Sequence, residues 1–257
     1  MSTSAARCWW NSFRKAGPVT VMHVNLMPDA SSEASSLLWL NKEEQARCRQ
    51  YPLPGPRRRF ALCRAALRSI LCHELGCGNE RLSFGLSDYG KPFALVDEES
   101  APISFNLSHS AKHGLIALVP HGRLGVDVEE RVPRRDFDEM SEAVFGPHEQ
   151  SALARVRGRD RVRLFFRLWT IKEALVKALG LGFTLDVSQF EVPQALHQGR
   201  TGMFRFPQLP EVRWRVEYIG NENFSAAIAH ELLPSQLGDR SLQRQNGNVS
   251  EKQGVCQ

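Results

Sequence analysis

Apolar and polar positions along this chain follow two periods, and the change from one to the other marks out the elements. Residues 1–18 read as a loose extension. Val19–Met27 (VTVMHVNLM) is rich in β-branched residues and predicts a strand. A polar stretch, DASSEASS, follows, and Leu37–Arg49 has a helical pattern that the YPLPGP segment at 51–56 interrupts. From Arg57 the apolar residues Phe60, Cys63, Ala66, Leu67, Ile70, Leu71 and Leu75 recur at helical spacing, and Gly76 stands where a helix would end. Short strands are expected at Leu82–Gly85, Ile103–Asn106 and Leu115–Val119.

The same order of elements then recurs. Gly125–Glu129 reads as a strand and Arg163–Leu179 as a second long helix ending at Gly180, with strands after it near Asp186–Val192, Val212–Ile219 and Phe224–Ala229. LRSILCHELG (67–76) overlays IKEALVKALG (171–180) at an offset of 104, and HGLIALV (113–119) overlays NFSAAIA (223–229) at an offset of 110. The expected fold is therefore α+β, an internal duplication of two similar halves. The boundaries read as an extension at 1–18, halves at 19–121 and 122–233, and a tail at 234–257. The tail is polar and too poor in apolar residues to offset the cost of ordering, so it is expected to be mobile.

Composition narrows the class. At 257 residues with 42% hydrophobic and 24% charged positions, the chain is neither fibrous nor wholly disordered. It contains no run of the ~18 apolar residues that a membrane span requires. The six cysteines form no C-x-x-C pair, and with no secretory signal in the first residues they read as reduced thiols of a cytoplasmic protein. A net charge of +5 suits acidic proteins, phosphorylated ligands or nucleic acid.

Three segments carry candidate chemistry. In GVDVEE (125–130), strand alternation places Asp127 and Glu129 on one face and Val126 and Val128 on the other. Two carboxylates about 7 Å apart suit a hard cation such as Mg²⁺, or they form a solvated acidic face. In WTIKEALVK (169–177), Trp169, Lys172, Glu173, Val176 and Lys177 fall on or near one helical stripe. Glu173 is either a third metal carboxylate beside phosphate-binding lysines or half of an ordinary pair with Lys177. In SFNLSHS (104–110), neighbouring side chains of an extended chain point apart, so Ser108 and His109 make better phosphate donors than a nucleophile and its base. Upstream, YGKPF (89–93) reads as a turn with an exposed lysine.

Taken together, GKPF, FNLSHS, GVDVEE and WTIKEALVKALG resemble the phosphopantetheinyl transferases, and the duplicated layout resembles their longer, pseudo-dimeric, surfactin-synthetase-activating (Sfp-type) class. The resemblance covers roughly residues 37 to 231, and its most specific part is GVDVE followed 40 residues later by WxxKExxxK. It implies transfer of the 4'-phosphopantetheine arm of coenzyme A to a serine of an apo acyl or peptidyl carrier protein. It further implies Mg²⁺ held by Asp127, Glu129 and Glu173, with Lys177 along the transferred phosphate and Lys172 nearby. Ser108 and His109 resemble the residues that meet the cofactor's phosphates, and Gly90, Lys91 and Pro92 those flanking its adenine. Arg59 and Arg47 are implied at the 3'-phosphate, with Arg57 or Arg58 as neighbours, and Glu149 in FGPHEQ as general base. Glu44 departs from the pattern, standing where a lysine is common.

The expected protein is a cytoplasmic monomer with no membrane and no nucleic-acid partner. The arginine-rich segment 154–163 nonetheless raises a nucleic-acid-binding alternative, although its interleaved Asp160 and a reading as solvated loop and helix start weigh against it. A different Mg²⁺-dependent phosphotransferase or nucleotide hydrolase would share the carboxylates.

Overall fold

The computed structural model describes residues 8–132, 136–180 and 186–234. Strand β1 (Trp10–Ala16) turns through Gly17, whose φ of 59° suits a residue without a Cβ, into β2 (Val19–Asn25). Part of the expected loose extension is thus a strand, paired along β2 and anchored by Phe13 against Phe224. Three helices follow: α1 (Ala30–Leu37), α2 (Lys42–Gln50) and α3 (Pro54–Leu75). The polar DASSEASS stretch is helical because the Asp29 side chain accepts from the Ser32 backbone and caps α1. A reciprocal Asn41–Glu44 capping box starts α2.

The YPLPGP segment does end α2, but its prolines also open α3 at Pro54, ahead of the expected start at Arg57. A proline in the first helical turn gives up an N–H that would have no partner there, so only Tyr51 to Leu53 separates the two helices. Helix α3 ends as expected at Gly76, left-handed at φ 62°.

Next come the hairpin strands β3 (Leu82–Leu86), β4 (Pro92–Val96) and β5 (Glu99–Ser100), and then β6 (Ser104–Ser110), β7 (His113–Val119) and β8 (Leu124–Glu130). Helices α4 (Phe137–Val144), α5 (Pro147–Ala154) and α6 (Gly158–Leu179) lead to a short 3₁₀ turn at Val187–Gln189 and α7 (Gln194–His197). Strands β9 (Gly202–Phe206), β10 (Leu209–Tyr218) and β11 (Phe224–Leu232) complete the described chain. The strand expected at Asp186–Val192 does not form. Asp186 caps the 3₁₀ turn, and the carbonyls of Val187 and Phe190 accept from Lys172 instead of from a neighbouring strand.

One sheet runs β1-β2-β7-β6 and a second β8-β11-β10-β9, with every pairing antiparallel. Alternation along the strands divides the apolar residues into layers. Ile116 and Leu118 of β7 face Leu62, Leu67 and Ile70 of α3. Leu115 and Ala117 face Val126, Val128 and Ile228 of the other sheet. On the far side, Phe165, Leu168, Ile171 and Leu175 of α6 cover Trp214 and Val216 of β10. The order is helix, sheet, sheet, helix. No helix among the described residues is long and apolar enough to cross a membrane. The tail at 235–257 and residues 1–7 lie outside the described residues.

Glu44, the residue that departs from the resemblance, has a structural partner. It accepts from Arg68 at 2.7 Å and lies 3.6 Å from Arg64, and Arg68 is 1% exposed. Removing Glu44 would leave a buried guanidinium whose remaining partners, Asn79 and the Leu82 carbonyl, carry no charge. Glu44→Ala is expected to lower the unfolding free energy by about 3–5 kcal/mol in urea denaturation. A loss below ~1 kcal/mol would contradict this role.

Candidate active site

The site begins with a contact between backbones. A Cβ on Gly125 of β8 would lie 2.0 Å from the Ala174 carbonyl oxygen and 2.4 Å from the Ala178 nitrogen. Only glycine lets α6 lie this close to β8, and that closeness sets Glu173 and Lys177 opposite the strand's carboxylates. As expected from alternation, Val126 and Val128 point into the core between the sheets, while Asp127 and Glu129 line a cleft beneath α6 with Trp169, Glu173 and Lys177.

The opposite wall is β6, whose alternate residues reach across to β8. Asn106 Oδ1 accepts from the Val126 N–H at 2.9 Å. Ser108 Oγ donates to Asp127 Oδ1 at 2.8 Å, and Ser110 Oγ donates to Glu129 Oε2 at 2.7 Å. Ser110 also accepts from the Glu130 N–H. Side chains thus close the gap between the edge strands of two separate sheets. The sequence reading missed Asn106 and Ser110, although they share a strand face with Ser108 at period two.

Asp127 is 2% exposed and its Oδ1 accepts from Lys177 Nζ at 2.6 Å, while its Oδ2 is buried without a hydrogen-bond partner. Burial raises the Asp127 carboxyl above its ordinary range, with Lys177 pulling the other way. Glu129 is raised by burial and then by the charges of Asp127 and Glu173, and Glu173 by burial and then by Asp127. A divalent cation would relieve both the orphaned oxygen and the mutual repulsion, so these hard oxygen donors fit one chemically. Among the described residues no three His, Cys, Asp or Glu side chains are already drawn into a metal cage. The Lys177 ammonium holds one oxygen of Asp127.

The other expected residues divide between cleft and core. Ser108 and His109 border the cleft, and the His109 imidazolium is disfavoured first by the desolvating walls and then by Arg59 and Lys177. Gly90, Lys91 and Pro92 line an adjoining cavity of ≈ 380 Å³ together with Glu173, Val176 and Lys177. Lys91 is not exposed as expected. Its Nζ donates to the carbonyls of Leu124 and Lys177 at 2.8 and 2.7 Å, and burial lowers its pKa to about 8. It seats the turn on the last turn of α6, where carbonyls lack helical partners.

Arg57 and Arg58 are engaged by the carbonyls of Tyr51 and Leu26. Arg47 lies exposed over the Phe60 ring at 5.3 Å, and neither it nor Arg59 forms an ion pair among the described residues. In the arginine-rich segment, Arg161 pairs with Asp138 and Arg163 with Glu222.

Two of the expected residues lie apart from the cleft. Glu149, expected as general base, is 0% exposed, and Lys172, expected near phosphate, is 1% exposed; they pair with each other at 2.7 Å. At 100° per residue, Lys172 turns away from the face that Trp169, Glu173 and Lys177 share at intervals of four. Neither group lines the cleft.

The close approach of β8 and α6 can be tested directly. Gly125→Ala is expected to destabilise the fold by about 1–3 kcal/mol or more, because backbone rather than a flexible side chain must move. Urea unfolding within ~0.5 kcal/mol of the parent would show that the two elements are free to separate.

Comparison with known proteins agrees with this geometry. Residues 123–229, which contain β8 and α6, match the 4'-phosphopantetheinyl transferase superfamily. The Synechocystis sp. protein slr0495, provisionally named a 4'-phosphopantetheinyl transferase, is 34% identical over 197 residues, covering 74% of this chain and 78% of its own. The 4'-phosphopantetheinyl transferase HetI of Nostoc sp. is 35% identical over 143 residues, 56% of this chain and 60% of its own. The 4'-phosphopantetheinyl transferase gsp of Aneurinibacillus migulanus is 32% identical over 151 residues, 59% of this chain and 60% of its own. The chain belongs to the 4'-phosphopantetheinyl transferase superfamily and is a transferase of that class.

Proposed function

We propose that this protein moves the 4'-phosphopantetheine arm of coenzyme A onto a serine hydroxyl of an apo acyl or peptidyl carrier protein, releasing adenosine 3',5'-bisphosphate. The observation that carries the reading is the meeting of Asp127, Glu129, Glu173 and Lys177 at one cleft, with a buried carboxylate oxygen of Asp127 left unpartnered. Two adjoining cavities share Glu173 and Lys177, one predominantly apolar beside Pro92 and Val176, the other more polar beside Ser108 and His109. An elongated donor with a charged middle suits that pairing.

Asp127, Glu129 and Glu173 would hold the Mg²⁺, which when bound supplies charge neutralisation to the pyrophosphate. Lys177 would exchange its contact with Asp127 for a phosphate oxygen, and Ser108 and His109 would donate to the same group. Arg59 and Arg47 are the guanidiniums left for the 3'-phosphate, while Lys91, held by carbonyls, shapes the wall beside the adenine. With Glu149 enclosed in the core and the three carboxylates holding the cation, a water in the cleft would take the serine proton.

The reading extends to the architecture. The halves 19–121 and 122–233 would be related by duplication about a pseudo-twofold axis, with the site between them. In support, α3 and α6 are each 22 residues long and each ends on a left-handed glycine. The inner strands β7 and β11 occupy corresponding places in their sheets. A chain duplicated in this way is proposed to act as a monomer in the cytoplasm, its basic charge drawing acidic carriers.

Incubating an apo carrier protein with the enzyme, coenzyme A and Mg²⁺ should raise the carrier's mass by one phosphopantetheine. Asp127→Asn, Glu129→Gln and Glu173→Gln should each lower that transfer about 10²-fold or more. Near-normal turnover of all three at saturating Mg²⁺ would overturn the assignment. Nucleotide release without carrier would instead favour a hydrolase, and salt-sensitive nucleic-acid binding alone the arginine-rich alternative.

A further inference from the structure

The Glu149–Lys172 pair sits in the core one residue from Glu173, and its bonds extend well beyond the pair. Glu149 accepts from the N–H of Gly146 at 2.9 Å and from that of Val192 at 2.7 Å. Lys172 Nζ also donates to the carbonyls of Val144, Val187 and Phe190 at 2.9, 2.9 and 2.8 Å. The rings of Phe145 and Phe190 flank the ammonium at 5.5 and 5.1 Å. One point on α6 therefore holds the end of α4, the start of α5 and the turn at 187–192. Val187, tied by its carbonyl, is also part of the apolar cavity wall next to Glu173 and Lys177.

Stability alone does not call for this arrangement. Withdrawing two charges from water costs several kcal/mol per ion, and well-packed apolar residues of similar volume are often as stable or more so. What the pair adds is direction: its bonds have fixed partners, so α6 cannot rotate or slide without breaking several together. A rotation large enough to free Lys172 would carry Glu173 and Lys177 away from Asp127.

We propose that Glu149 and Lys172 are positioning residues that fix the rotation of α6 and so aim Glu173 and Lys177 at Asp127 and Glu129. The inference rests on the reading of Glu173 as a metal ligand, and it replaces the proton-accepting and phosphate-binding roles that the resemblance implied for this pair.

The test compares the full-length enzyme with Glu149→Gln/Lys172→Met, which removes both charges together, and with Lys172→Arg, which keeps the charge on a head of different shape. Binding of Mn²⁺ in the presence of coenzyme A, followed by electron paramagnetic resonance, is read beside Mg²⁺-dependent carrier transfer. The expected result is metal affinity weakened about 10–100-fold in the double variant, with excess metal restoring most of kcat. If the double variant does not fold, Lys172→Arg is read on the same titrations, with a weakening of the same sign expected. Wild-type metal affinity in a folded variant would overturn the proposal, whatever its Tm. So would a kcat that stays low at saturating metal with unchanged affinity and a shifted pH profile, because Glu149 would then move a proton. Glu173→Gln separates the two layers. If it leaves Mn²⁺ binding intact, the ligand reading fails and the positioning role falls with it; if it abolishes binding while the pair variants do not, only the positioning role fails.

Discussion

The carboxylate of Asp127 is held out of water between Lys177 of α6 and Ser108 of β6, and the geometry around it depends on that junction. Strand β8 is an edge strand of its sheet, and on its free side it meets β6, the edge of the other. No ladder of backbone hydrogen bonds joins them. Asn106, Ser108 and Ser110 supply the contacts instead, two of them to carboxylates of the proposed cation site. Gly125 then allows α6 to settle on β8 from the other side. The same few ångströms that join the two sheets thus assemble the site.

Three buried charge clusters in this molecule differ in how completely they are satisfied. Arg68 is surrounded by Glu44, Asn79 and the Leu82 carbonyl, and Lys172 by Glu149 and three carbonyls. Both serve the framework. Asp127 has one oxygen held twice and the other not at all, beside two further carboxylates whose charges oppose its own. An incompletely satisfied charge is costly unless something else binds there, which is the reason for proposing ligand at this cluster and not at the two better-bonded ones.

Much of the site was legible because its determinants are local. Strand alternation put Asp127 and Glu129 on one face and the valines on the other, and that requires only four consecutive residues. The ends of α3 and α6 were readable from Gly76 and Gly180. What the sequence did not reveal involves distant partners. Nothing near Lys172 shows that Glu149, twenty-three positions earlier, will meet it in the core, or that a helical turn of 100° separates it from its neighbour's face. Lys91 looked exposed because its partners are backbone carbonyls contributed by β8 and α6. The segment at 186–192 has a strand-like composition, yet its carbonyls are taken by a lysine. The start of α3 at Pro54 rather than Arg57 has a different reason, since proline ends one helix and begins another equally well.

Asp127, Glu129 and Glu173 are proposed as a divalent-cation site kept in waiting by Lys177. A crystal structure with coenzyme A and Mg²⁺ bound tests it most directly. Lys177 is expected to leave Asp127 for a phosphate oxygen, and oxygens of all three carboxylates to share one cation, including the Asp127 Oδ2 now without a partner. A complex in which Lys177 keeps its bond to Asp127 while the pyrophosphate and metal lie elsewhere would contradict it.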